Sequence, residues 1–129
     1  MENNLYYKPI IGRLWKRGKN YLNINFAKSF YQVLAGADEN NVFKICREGD
    51  DIVMIRQKSD AELNPLGVYV ELHKYDSRCT IGSKAFCDIL IGRFGSEPTK
   101  YRFDEREQGI FLVSPYSGTG IEVYHCHKG

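Results

Sequence analysis

No stretch of this 129-residue chain stays apolar for the roughly 20 residues that a membrane-crossing helix needs. Its opening, MENNLYYKPIIGRLWKR, has no basic segment followed by an apolar one, so it does not read as a secretory leader. Cysteine is scarce. Cys46, Cys79, Cys87 and Cys126 include no C-x-x-C pair, and three of them sit in apolar stretches where a free thiol serves as a small hydrophobe. This pattern argues against a disulfide framework and for a reducing, cytoplasmic setting. A phosphate-cradling loop is missing as well: GRFGSEP lacks both the Lys-Ser/Thr ending and a preceding strand, and YSGTG reads as a turn. No Ser-His-Asp or Cys-His arrangement is suggested by spacing. The acidic runs EGDD and EREQ fall in tight turns, where carboxylates are solvated by default. The expectation is a protein that is not an enzyme and has no cofactor.

Histidine is the one residue type that raises a metal question. In HCH, residues 125–127, a strand would put His125 and His127 on one face and Cys126 on the other. A third ligand such as His73 could complete a site. A C-terminal strand so close to the chain end is the simpler reading, and no metal is expected.

Net charge is small overall, at +2, but it is unevenly placed. Residues 1–36 carry Lys8, Arg13, Lys16, Arg17, Lys19 and Lys28 against Glu2 alone, a net +5. The remainder holds 12 basic and 15 acidic residues, a net −3. A basic N-terminal face on an otherwise near-neutral chain suits an acidic partner, of which nucleic acid is the usual kind.

What is present is alternation. IIGRLWKRGKNYLNIN reads as two extended segments with a turn near Arg17 to Lys19. Phe26, Phe30, Val33 and Leu34 recur at helical spacing, with Asn25 as the candidate N-cap and Gly36 as the stop. VFKIC and IVMI flank a polar, glycine-containing turn. QKSDAELNPLG is a connector, roughly 57–67. The order then returns: GVYVELHKY and SRCTIG are extended, and SKAFCDILIGR is a helix capped by Ser83 with Ala85, Phe86, Ile89 and Leu90 on one face. KYRF and GIFLV form a second hairpin, and GIEVYHC, about 119–127, is a last strand.

The halves align. Ile24 falls on Ile81, 57 residues on; Lys28, Phe30, Val33 and Leu34 fall on Lys84, Phe86, Ile89 and Leu90, 56 on. Phe43 to Ile45 fall on Tyr101 to Phe103, and Ile52 to Ile55 on Ile110 to Val113, both 58 on. This is an internal repeat within a single domain, about 10–57 and 67–115. Neither copy can close a core alone. The physical solution is for the two to pair about an approximate twofold axis, each burying Phe30 or Phe86, Leu34 or Leu90, and the Ile52/Met54 or Ile110/Leu112 strand.

Strand, short helix and hairpin with an acidic-glycine turn, used twice, resembles the swapped-hairpin family of AbrB, MazE and SpoVT. GKNYLNINFAKSFYQVL is similar to that family's opening strand and helix, and VFKICREGDDIVMIR to its hairpin. SRCTIGSKAFCDIL and YRFDEREQGIFLV stand as the second copy. The resemblance implies a mainly β fold with short helices, a single-chain pseudo-twofold swapped-hairpin barrel. It implies a cytoplasmic DNA-binding transcriptional regulator, either a monomeric pseudo-dimer or a higher homo-oligomer. The DNA contacts it implies are Arg13, Lys16, Arg17, Lys19 and Lys28, with Lys74, Arg78 and Lys84 from the second copy, where Glu71 and Asp76 dilute the charge. Trp15, Tyr6 and Tyr7 lie among these cations, and packing is the expected role for each of them. The rival expectation is an antitoxin-like or inhibitory protein-interaction module on the same barrel, without DNA binding. A metal-dependent enzyme using the C-terminal histidines is the third.

Overall fold

A computed structural model describes residues 9–60 and 62–117. The alternation seen in the sequence becomes eight antiparallel strands: β1 (Ile10–Arg17), β2 (Asn20–Ala27), β3 (Val42–Glu48), β4 (Asp51–Arg56), β5 (Val68–Lys74), β6 (Arg78–Gly82), β7 (Lys100–Glu107) and β8 (Ile110–Pro115). They close into a barrel in the order β1-β2-β6-β5-β3-β4-β8-β7. Closure leaves no free sheet edge. The β3–β4 hairpin is bonded on one side to β5 and on the other to β8. The β7–β8 hairpin lies between β1 and β4. Among the described residues there are also two short helices, α1 (Tyr31–Ala35), entered through a 3-10 turn at Lys28–Phe30, and α2 (Lys84–Phe94).

Because side chains alternate across a strand, one residue in two fills the barrel. Leu14, Ile24, Phe26, Phe43, Ile45, Ile52, Met54, Leu72, Ile81, Phe103, Phe111 and Val113 are all buried in one cluster. Phe103 sits at its centre, edge-on to Phe26 at 4.9 Å and to Phe86 of α2 at 6.4 Å. Gly12 makes room for this stack: a Cβ there would lie 2.7 Å from both Ile24 and Phe26.

The helices differ from expectation in instructive ways. Asn25 is not a cap. It lies in β2, and its Oδ1 accepts a 2.8 Å hydrogen bond from the Thr80 hydroxyl. Ala27 precedes the first helical turn and offers no side-chain cap, whereas Ser83 Oγ accepts from the Phe86 amide at 3.1 Å as expected. Phe26 belongs to the strand, Phe30 is only half-buried and Val33 is exposed, because α1 has just five residues and turns one short face inward. On α2 the buried residues are Phe86, Cys87 and Leu90, with Ala85 exposed and Ile89 half-buried. Arg56 finishes α1 from outside, donating Nε to the Leu34 carbonyl at 2.9 Å and a terminal nitrogen to that of Val33 at 3.0 Å.

One register is corrected by a residue. Ile110 and Leu112 are half-buried and point outward; Phe111 and Val113 face the core. A bulge between Glu105 and Glu107 adds a residue to β7, and a one-residue slip exchanges the faces of a strand. The inward residues of β8 are therefore Phe111 and Val113 rather than the expected Ile110 and Leu112. The predicted C-terminal strand and the His125 and His127 question lie outside the described residues. No helix among the described residues is long and apolar enough to cross a membrane.

Candidate nucleic-acid interface

The strands β1, β2, β6 and β5 form one continuous wall, and its outward residues follow from the pairings. One row runs Lys100, Arg13, Asn25, Thr80, His73, each beside the next on a neighbouring strand. The next row holds Trp15, Asn23 and Gly82, with Glu71 on β5 alternating with His73. Thr80 is nearly enclosed by its neighbours and is satisfied by Asn25. The wall is thus polar and uncharged at its centre.

The cations gather at its two ends. Lys16, Arg17 and Lys19 are exposed at the tip of the β1–β2 hairpin. Lys84 starts α2 beside the same end, since the Ser83 amide bonds to the Leu22 carbonyl. At the other end Lys28, Lys74 and Arg78 line one groove with Tyr75, Asp76 and Ser77. The β5–β6 tip lies there because Arg78 pairs with Ala27 at the far end of β2. Seven residue steps from Asn20 to Ala27 separate the two ends by roughly 23 Å at about 3.3 Å per residue. That is about seven base pairs of duplex at ~3.4 Å each.

Among the described residues, Arg13, Lys16, Arg17, Lys19 and Lys28 make no ion pair. Lys84 differs: its Nζ lies 2.8 Å from Asp88 one helical turn on. Aromatic rings support several of the others. Lys16 sits over Tyr21 at 5.2 Å, Lys74 over Tyr31 at 4.7 Å and Arg78 over Tyr75 at 5.4 Å. Such contacts hold a side chain in place while leaving its charge to act outward. Trp15 is 44% exposed on this wall rather than packed; Tyr6 and Tyr7 lie outside the described residues.

Two features of the wall escape local sequence reading. Lys100 stands next to Arg13 only because β7 pairs with β1 across almost the whole chain. The amides of Asn23 and Asn25 were legible as alternate residues of one strand, but Thr80, the hydrogen-bond partner of Asn25, comes from the other half.

The thiols beneath are inert. Burial pushes both Cys79 and Cys87 up to about 11, with Asp88 adding to the rise at Cys87. Burial likewise pushes Tyr101 up to about 12. Among the described residues no group of three or more His, Cys, Asp or Glu side chains converges as a metal site would require. No protein-family model, no curated protein and no solved structure matches the chain.

Proposed function

We propose that the protein is a small DNA-binding regulator that lays its β1-β2-β6-β5 wall on duplex DNA. The observation that carries this reading is the set of cations on the wall, of which Arg13, Lys16, Arg17, Lys19, Lys28, Lys74 and Arg78 make no ion pair among the described residues, framing a centre of amides and a hydroxyl. Lys and Arg neutralise phosphates and release counterions, while Asn and Arg can pair with base edges. Arg13, Lys16, Arg17, Lys19, Lys28, Lys74 and Arg78 are its contacts. Lys84 contributes least, held by Asp88.

The swapped-hairpin reading supports the same surface. Exchanging β1–β4 for β5–β8 turns the strand order into itself, and each hairpin is flanked by strands of the other half. Ile24 is bonded beside Ile81, and Val53 beside Leu112. On that reading a residue faces its own counterpart only where a twofold axis passes between two strands, and these two pairs support an axis running between them. The wall is then built from the first two strands of each copy, which in the AbrB-like family carry the DNA-reaching residues.

Salt dependence tests the proposal. Replacing Arg13, Lys16, Arg17 and Lys19 by alanine is expected to flatten the slope of log affinity against log salt by roughly 3 to 4, at about 0.9 per phosphate contact. Affinity falls for every sequence alike. Wild-type protein that binds no duplex at low salt refutes the reading. A second reading, an antitoxin-like or inhibitory protein-interaction module, is favoured by the opposite wall, where the half-buried Cys46, Ile55, Ile110 and Leu112 face outward around the enclosed Val53.

A further inference from the structure

We propose that this wall takes duplex DNA in one orientation only, on a non-palindromic site. The inference rests on the DNA-binding reading above. It comes from the difference between an almost symmetric scaffold and its asymmetric decoration.

The pairings define which outward residues occupy matching places. Arg13 stands opposite Asn25 and beside Lys100; its counterpart is Glu71, which stands beside Val42. Trp15 opposite Asn23 corresponds to His73 opposite Thr80. The half built on β1 and β2 therefore presents two adjacent cations and an indole. The half built on β5 and β6 presents a carboxylate, an imidazole and a valine.

Glu71 is exposed, with two long polar contacts beside it. Its Oε2 lies 3.5 Å from the Asn41 amide nitrogen, and its Oε1 lies 3.8 Å from His73 Nε2. The same Asn41 nitrogen donates to the Leu72 carbonyl at 3.0 Å, which fixes the amide. A carboxylate held outward at this point repels a phosphate and accepts a hydrogen bond from the amino group of cytosine, whereas a guanidinium at the matching point pairs with guanine. A palindrome places guanine at both points, one on each strand. Arg13 accepts the first; Glu71 requires cytosine where the palindrome has guanine. Arg13 and Glu71 are thus the specificity-determining pair, and the bound protein acquires a direction on the duplex.

Selection of binding sites from a random duplex library tests this. The wild type is expected to enrich a non-palindromic motif. Glu71→Arg, which restores the chemistry of Arg13 at the matching place, is expected to move the enriched motif toward a palindrome. The ratio of its affinity for the palindrome to that for the wild-type motif should rise by at least about fivefold, as a bidentate arginine–guanine pair gives. Glu71→Gln is expected to lose the cytosine preference. Both variants should melt with the wild type, since Glu71 is exposed. A palindromic wild-type motif overturns the inference, as does an unchanged motif in both variants. Salt-dependent binding without any motif also overturns it, while leaving the DNA reading intact. Absence of binding at low salt removes both.

Discussion

The two walls of the barrel obey the same alternation and arrive at opposite surfaces. Inward, both are apolar throughout. Outward, the β1-β2-β6-β5 wall carries Arg13, Asn23, Asn25, Thr80 and His73, while the wall of β3, β4, β8 and β7 places Cys46, Val53, Leu112 and Asp104 in one row, with Ile55 beside Ile110. On each wall the residue nearest the centre is almost enclosed although it points out, Thr80 at 6% exposure and Val53 at 1%. One is satisfied by a hydrogen bond from its hydroxyl, the other by apolar neighbours. Inward residues make the barrel, and outward residues decide what each side can meet.

The largest expected effect joins the walls rather than separating them. Phe103 belongs to β7 yet packs on Phe26 of β2 and Phe86 of α2. Phe103→Ala should cost about 3–5 kcal/mol in a denaturant titration. A cost near that of a surface substitution would mean the two walls are held independently.

Alkaline titration comes next. In the unfolded chain Cys79 and Cys87 ionise near 9, but in the fold near 11. Over that window the folded state keeps protons that the unfolded state has lost, so stability present below pH 9 falls as pH rises toward 11. The melting temperature should drop across this range, and less so in a Cys79→Ala, Cys87→Ala variant compared with its own value at neutral pH. At pH 7.5 iodoacetamide should leave both thiols unmodified in the native protein, as read by mass spectrometry.

Substitutions on the two walls sharpen the contrast. Val53→Asn buries an amide among apolar side chains and should cost about 1–3 kcal/mol. Asn23→Ala, on the polar wall, should stay within about 0.5 kcal/mol. Equal costs would show that the walls do not differ as described. The smallest effect is at a helix end: Ser83→Ala removes the cap of α2 and should cost about 1 kcal/mol by thermal melting. Ala27, at the uncapped start of the other helix, should gain stability on conversion to serine if that helix lacks only its cap.

Much of this was legible locally. The strands, both hairpins, the connector and the Ser83 cap follow from period-two alternation, turn glycines and a serine before an apolar run. Helix α1 was misread because Phe26 ends a strand just where helical spacing begins, and spacing alone cannot tell the two apart. The face of β8 was misread because a bulge is an extra backbone residue that leaves no mark in hydrophobic pattern. The exposed cations Arg13, Lys16, Arg17, Lys19, Lys28, Lys74 and Arg78 were all visible as charges. That all of them but Arg13 divide into two clusters at opposite ends of one wall was not.

By itself, then, the sequence determined where most strands run and where the chain turns, since both depend on neighbours within a few positions. Only the tertiary structure decided that Lys100 stands beside Arg13, that Glu71 stands beside Val42, and that Val53 is enclosed while facing outward. The physical reason is range. Alternation is a property of a single strand, whereas the make-up of a wall depends on strand pairs drawn from distant parts of the chain and on the register that a single bulge can shift.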